Sequence, residues 1–125
     1  MKPYKGSRGE GIRVIRDATE LSRAASVLSE NKGPREPIFA QRYHPPDGRD
    51  RKIYAIGGQL FGVERPWPAR TLEDKLGRPF ALTPELQELA GRCGRAFGID
   101  LYGVDIIESR GRPYVVDMSS FPGFK

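Results

Sequence analysis

Cysteine and histidine are almost absent from this sequence: its 125 residues include one of each, Cys93 and His44. A single cysteine excludes an internal disulfide and a cysteine-rich zinc site. A single loop histidine gives no basis for a Ser-His-Asp set. No apolar run approaches the roughly 20 residues that a membrane span needs, and no apolar stretch follows the first charged residues as in a secretory signal. We therefore expect a cytoplasmic protein without a membrane partner.

The composition is that of a folded chain with a basic surface. Hydrophobic residues make up 38% and charged residues 30%, which is typical of a globular protein of one domain or part of one. The net charge of +5 favours anionic partners such as nucleotide phosphates, nucleic acid or acidic peptides. Charge alone does not choose among them, because the basic residues are spread along the chain and a solvated basic surface explains them equally well.

The pattern of apolar, capping and turn residues predicts an α+β fold with mainly antiparallel pairing. Gly57-Gly58 favours a tight hairpin turn, and Thr83-Pro84 and Gly98 are typical of the two ends of a helix. Residues 66–82 are expected to form a long irregular connection. The predicted elements, in order, are a strand at 12–15, a helix at 18–29, a strand at 37–43, a hairpin of 52–56 with 59–63, a helix from 84 to 97, and a hairpin of 101–107 with 113–118.

The last predicted hairpin carries the clearest chemical signal. If it folds about Gly111, Asp105 faces Asp117 with the two Cβ atoms roughly 5 Å apart. Like charges in that position destabilise a sheet, whereas a divalent cation such as Mg²⁺ or Mn²⁺ would use both carboxylates as ligands. Ser119 points to the same face and would add a hydroxyl. The alternative is an exposed face on which both aspartates are simply solvated.

The Gly57-Gly58 hairpin brings two cations together in the same way. Its register places Asp50 opposite Arg65, with Lys52 as a diagonal neighbour of Arg65 on the same face. Two cations on a half-apolar face favour an anion such as a polyphosphate. The alternative, in which Lys52 and Arg65 reach the rim and pair with Asp50 or Glu64, is equally consistent with the pattern.

The segment Gly6-Ser7-Arg8-Gly9-Glu10-Gly11 is rich in glycine, whose backbone N–H groups approach phosphate oxygens closely. Its spacing matches neither the dinucleotide fingerprint nor a Walker loop. By itself it is more typical of a flexible hairpin loop than of a phosphate-binding loop.

Taken in order, these motifs resemble the ATP-grasp superfamily, and the glycine loop and the spacing of Asp105 and Asp117 resemble its RimK branch (alpha-L-glutamate ligase type). That branch contains ATP-dependent ligases that add glutamate or a similar amino acid to a carboxyl group. The matching stretches, which together span the chain, are Lys2-Pro3, Gly6 to Gly11, Phe39 to Tyr43, Asp50 to Lys52, Gly57-Gly58, Arg65, Gly103-Val104-Asp105 and Val115 to Gly123.

The resemblance implies a role for each matching position. Lys52 and Arg65 would contact phosphates or an acyl-phosphate intermediate, and Asp105, Asp117 and Ser119 would hold Mg²⁺ or Mn²⁺. The expected ATP-binding residues are Lys2, the loop residues Gly6, Ser7, Gly9 and Gly11, the adenine hinge Gln41, Arg42 and Tyr43, and Asp50 near the ribose. Residues 1–45 would end the N-terminal subdomain and residues 46–125 would form the C-terminal one. Besides ATP, the expected partners are an amino acid and a carboxylate acceptor, and a homo-oligomer is possible.

The sequence also departs from the family pattern. The family usually has glutamate at Asp117, asparagine at Ser119 and arginine at Lys52. The upstream domain and its phosphate-binding lysine are not in this sequence, so we expect a portion of the catalytic unit, with its activity in isolation left open.

Two alternatives remain at this point. An inositol-phosphate kinase of the same superfamily would transfer the phosphoryl group to a hydroxyl, and Arg65-Pro66 and the ending Phe-Pro-Gly resemble that branch too. A non-catalytic basic module would bind nucleic acid or an acidic partner. We rank nucleic acid lower, because the aromatic residues do not interleave with the basic ones.

Overall fold

The computed structural model describes residues 2–3, 12–30, 38–120 and 122, and the chain divides into two compact units, 1–43 and 44–125. In the first unit, strand β1 (Lys2–Pro3) pairs antiparallel with strand β2 (Ile38–Phe39), and helix α1 spans Ala18–Glu30. The start of α1 is capped by Asp17, whose Oδ1 accepts a hydrogen bond from the Glu20 amide at 2.8 Å. The predicted helix is therefore confirmed.

The second unit is built on a five-stranded sheet in which every neighbouring pair is antiparallel, so the expected α+β class is confirmed. The strand order across the sheet is β5-β4-β3-β6-β7, and helix α2 precedes β5 in the chain. The strands and helix are β3 (Arg49–Ile56), β4 (Gln59–Pro66), α2 (Leu72–Leu76), β5 (Arg78–Phe80), β6 (Leu101–Ser109) and β7 (Arg112–Ser119).

The β3–β4 hairpin turns at Gly57 and Gly58, as the sequence predicts. Both glycines have positive φ angles, 55° and 85°, the conformation that a tight hairpin turn requires and that side chains disfavour. The predicted register is also confirmed, because Asp50 lies opposite Arg65.

Helix α3 (Pro84–Phe97) covers one face of this sheet. It begins after Thr83, whose Oγ1 accepts from the Leu86 amide at 3.3 Å, and it ends at Gly98 in the left-handed conformation, as predicted. The buried core between helix and sheet consists of Ile53, Ala55, Leu86, Ala90, Tyr102, Val104 and Ile106. Within the described part of the chain, no helix is long and apolar enough to cross a membrane.

Three expectations about the elements are wrong. Residues 12–15 form no strand, and Ile12 and Val14 are exposed. Of the described residues 38–43 in the predicted strand 37–43, only Ile38–Phe39 pairs with another strand. The segment 66–82 is not irregular throughout, because it contains α2 and β5. The missed signal is a capping box: Thr71 Oγ1 accepts from the Asp74 amide, and Asp74 accepts from the Thr71 amide.

Candidate functional site

The charged residues predicted from the two hairpins lie on one face of the sheet, opposite the face that α3 covers. Along β3, Ile53 and Ala55 point into the core, so Asp50 and Lys52 point the other way. Lys52 lies directly opposite Asp105 on β6, and Asp50 lies opposite Arg65 on β4. The β3–β4 hairpin and the pairing of β3 with β6, which is remote in sequence, thus bring the predicted cations and carboxylates together.

The predicted pairing of Asp105 with Asp117 is confirmed, but the hairpin does not follow the simple fold about Gly111. Near the turn Ser109 lies opposite Arg112, and that register alone would place Val116 opposite Asp105. A β-bulge shifts the ladder by one residue between Asp105 and Ile106 and restores the pairing of the two aspartates.

Asp105 has one carboxylate oxygen that solvent does not reach. Its Oδ1 is excluded from solvent and accepts no hydrogen bond from the described residues, although the Lys52 Nζ lies 3.4 Å away. Burial raises the pKa of the Asp105 carboxyl above its ordinary value, against the lowering effect of the Lys52 charge; Asp50 also raises it. A carboxylate oxygen that solvent does not reach and that accepts no hydrogen bond is stabilised by a nearby cation.

The other ion pair of the face joins Arg65 and Asp50. The Arg65 Nη2 donates a hydrogen bond to Asp50 Oδ2, and the arginine side chain is about one third exposed. The Lys52 ammonium lies 5.7 Å from the centre of the Tyr54 ring. The structure therefore shows the alternative in which Arg65 pairs with Asp50, whereas Lys52 pairs with Asp105.

Asp117 and Ser119 complete the face. Asp117 is exposed and its Oδ1 accepts a hydrogen bond from the Met118 amide at 2.9 Å. Ser119 lies opposite Gly103, two residues from Asp105 and hence on the same face. In the described part of the chain, no three His, Cys, Asp or Glu side chains gather as a metal-ligand group. A magnesium site here would rest on two carboxylates, the number that Mg²⁺ typically takes from a protein when phosphates and waters supply the rest.

The remaining predicted site residues belong to the first unit. The backbone of Lys2 lies in β1, and Gln41, Arg42 and Tyr43 are exposed and follow β2 without regular structure. Gly6, Ser7, Gly9 and Gly11 lie outside the described residues. Their roles remain predictions.

Two features around the site were not predicted from the sequence. Arg51 is buried beneath it on the core-side face, with its Nη2 at 3.2 Å from Asp47 Oδ2 and its Nε at 3.4 Å from Glu64 Oε2. The register of the Gly57-Gly58 hairpin, which puts Arg51 opposite Glu64, would have indicated this pair. Burial alone would raise the pKa of Asp47, but the hydrogen bond and charge of Arg51 keep it below its ordinary value.

The second missed feature is the contact of Gly103 with the stem of Lys52. A Cβ atom at Gly103 would lie 3.3 Å from Lys52 Cε and 2.8 Å from Pro122 Cβ. Only glycine leaves room for both groups. No local sequence signal indicates this contact, because the three residues come from separate parts of the chain.

Comparison with known proteins gives one family match and several curated relatives. Residues 1–125 match the family described as "RimK-like ATP-grasp domain". The chain is 27% identical over 132 residues to a probable alpha-L-glutamate ligase of Ectopseudomonas mendocina (strain ymp), covering 100% of this chain and 43% of that protein. A probable alpha-L-glutamate ligase of Parasynechococcus marenigrum (strain WH8102) is 26% identical over 132 residues, covering 100% and 28% respectively. The chain thus spans less than half the length of these relatives.

Solved structures share the fold at low identity. The macrocyclase MdnB from Microcystis aeruginosa MRC superimposes with a TM-score of 0.53 at 12% identity, over 89% of this chain and 39% of that one. A RiPP-associated ATP-grasp ligase from Chryseobacterium gregarium, in complex with ADP and a leader and core peptide, gives a TM-score of 0.52 at 13% identity, over 64% of this chain and 27% of that one.

Proposed function

Because this chain belongs to the RimK-like ATP-grasp domain family, we propose that it is the ATP- and metal-binding portion of an ATP-dependent carboxylate–amine ligase. The observation that carries the proposal is the arrangement on one sheet face of two opposed carboxylates, Asp105 and Asp117, beside two cations, Lys52 and Arg65. A metal-bound polyphosphate needs both sets of charges.

In this proposal, Asp105 and Asp117 hold Mg²⁺, or Mn²⁺ in its place, with the Ser119 hydroxyl as a further oxygen near the ion. The solvent-excluded oxygen of Asp105, which accepts no hydrogen bond from the described residues, supports this assignment. The bound ion would supply neutralisation of phosphate charge. The shorter side chain at Asp117, where the family usually has glutamate, is compatible with the site because Asp117 lies directly opposite Asp105.

Lys52 and Arg65 serve the transferring phosphoryl group. In the proposed reaction a substrate carboxylate attacks the γ-phosphorus of ATP and releases ADP. An amine then attacks the resulting acyl phosphate, forming an amide and releasing inorganic phosphate and a proton. Both steps pass through highly charged states without a protein nucleophile, so the side chains act by positioning and by charge. The half-buried ammonium and guanidinium are suited to that task.

The nucleotide contacts extend the proposal to the first unit. Residues 1–45 would contribute the end of the N-terminal subdomain, with Lys2 and the backbone of Gly6, Ser7, Gly9 and Gly11 at the phosphates. Gln41, Arg42 and Tyr43 would pair with adenine through their backbone, and Asp50 would lie near the ribose. Residues 46–125 would form the C-terminal subdomain.

The relatives support a substrate class for the proposed reaction. The curated relatives are named as probable alpha-L-glutamate ligases, which supports glutamate or a similar amino acid as the amine. A structure of similar fold holds ADP with a leader and core peptide, which supports a peptide as the carboxylate acceptor.

Isothermal titration of ATP into the chain with and without Mg²⁺ tests the binding proposal. We expect binding that requires Mg²⁺ and that falls at least about tenfold in Asp105→Asn and in Asp117→Asn, since each removes a charged ligand. Asp100→Asn, an exposed carboxylate outside the site, is the matched control and should bind as the parent does. If both site variants bind Mg-ATP as tightly as the parent, the proposed metal site is wrong.

A product assay separates the ligase from its main competitor. Phosphate release that depends on both glutamate and an acceptor peptide supports the ligase. ATP-dependent phosphorylation of an inositol phosphate would instead show that the protein is a kinase.

A further inference from the structure

The stem of Lys52 lies close to Gly103 of β6, in a passage that a side chain at position 103 would block. A Cβ atom there would lie 3.3 Å from Lys52 Cε and 2.8 Å from Pro122 Cβ. The Lys52 side chain is 19% exposed. In this position the ammonium lies beside Asp105.

Among the described charges around the passage, the Lys52 ammonium is the one that neutralises the Asp105 carboxylate. Arg65, the other cation of the face, is hydrogen-bonded to Asp50. The two cations and the three carboxylates of Asp50, Asp105 and Asp117 leave one net negative charge on the face. Among the described residues, Lys52 is the cation that forms an ion pair with Asp105, with Nζ 3.4 Å from the buried Oδ1.

We propose that the Lys52 ammonium occupies the cation position beside Asp105 in the nucleotide-free protein, so that Lys52 and the divalent metal compete for this carboxylate. The inference rests on the proposed metal site and adds a control on its occupancy. A compact ammonium on a flexible four-carbon stem can leave one oxygen and reach another within the same site.

If Lys52 and the metal compete, Lys52 should weaken the binding of metal alone but strengthen the binding of metal together with nucleotide. Without nucleotide, Lys52 repels and excludes the metal and thereby lowers metal affinity. With nucleotide, the phosphates offer the ammonium a new partner, so metal and ammonium both remain in the site. Free metal would then bind weakly to the empty protein, and metal–nucleotide would bind as a unit.

Titration of Mn²⁺ alone, followed by electron paramagnetic resonance, tests the inference on the full chain. Lys52→Met should bind Mn²⁺ about tenfold more tightly than the parent, because a neighbouring positive charge is removed from a poorly hydrated site. Lys52→Arg keeps the positive charge beside Asp105 and should stay within about threefold of the parent. Lys75→Met, which removes an exposed lysine on α2, controls for the change in net charge and should bind as the parent does.

Two further measurements make each outcome decisive. Adding Asp105→Asn to Lys52→Met should abolish the gain, and ATP affinity in the presence of Mg²⁺ should fall in Lys52→Met. Equal or weaker Mn²⁺ binding by a folded Lys52→Met, or a gain that survives loss of Asp105, overturns the inference. The proposed function still stands in that case if Mg-ATP binding remains sensitive to Asp105→Asn, and it fails together with the inference if neither protein binds Mn²⁺ or Mg-ATP.

Discussion

The Lys52 Nζ lies 3.4 Å from Asp105 Oδ1 because the two residues are direct partners across strands β3 and β6. The pairing of β3 with β6 joins the two hairpins of the second unit into one sheet with a charged face. It places a cation beside a carboxylate oxygen that is excluded from solvent. The stability of the ligand-free protein and its affinity for ligands therefore depend on the same pair.

Asp105→Asn should stabilise the ligand-free protein at neutral pH by up to about 1 kcal/mol, although it removes a metal ligand. Burial raises the pKa of Asp105 in the folded state, so the folded protein holds this proton more tightly than the unfolded chain does. The stability that this carboxyl contributes is present below its unfolded pKa and is lost as pH rises through the higher folded pKa.

Urea unfolding of parent and variant between about pH 4 and pH 7 measures this effect. The advantage of Asp105→Asn should increase with pH across the interval between the two pKa values and then level off. Asp117→Asn, on the facing strand but exposed, is the control and should change stability little. A variant less stable than the parent at pH 7 would contradict the prediction.

Arg51→Met should destabilise the fold by about 3 kcal/mol or more, because it leaves carboxylates without their buried cation. The Arg51 side chain is 8% exposed and forms ion pairs with Asp47, Glu64 and Glu108. Arg49→Met is the matched control. Arg49 contacts the same Glu64 at 2.6 Å, but its side chain is 60% exposed, so its loss should cost about 0.5 kcal/mol or less.

Chemical denaturation at constant pH compares the two arginine variants. Similar losses of unfolding free energy for Arg51→Met and Arg49→Met would mean that burial of Arg51 does not decide the strength of the network.

Gly103→Ala should weaken Mg-ATP binding about tenfold or more, because the new methyl group displaces the Lys52 stem and Pro122. Gly62→Ala makes the same change in the same sheet, but on the core side. Its Cβ would lie 2.7 Å from Phe80 Cε1. Each variant should lose about 1–3 kcal/mol of stability through overpacking.

Calorimetric titration below the unfolding range of both glycine variants separates a local from a general effect. We expect Gly62→Ala to keep the affinity of the parent within about threefold. An equal loss in both variants would show that the sheet as a whole, and not the passage for Lys52, sets the affinity.

The local features of the fold could be read from the sequence. Thr83-Pro84 and Gly98 predicted where helix α3 begins and ends, and Gly57-Gly58 predicted a hairpin with the correct register. The capping box at Thr71 was present in the sequence but was outweighed by the prolines around it. The short segment 12–15, with Ile12, Val14 and Ile15, suggested a strand that does not form, because strand propensity without a pairing partner is a weak signal.

The sequence by itself determined the helix ends and the hairpin turn, because these depend on neighbours along the chain. It also determined the family resemblance, through the order of its motifs, and the set of charged residues. The tertiary structure decided which of those charges meet. Side chains alternate between the two faces of a strand, so a one-residue shift moves a residue to the other face. The bulge beside Asp105 restores its pairing with Asp117. The pairing of β3 with β6, which places Lys52 opposite Asp105, joins residues 53 positions apart and is not encoded in any local pattern.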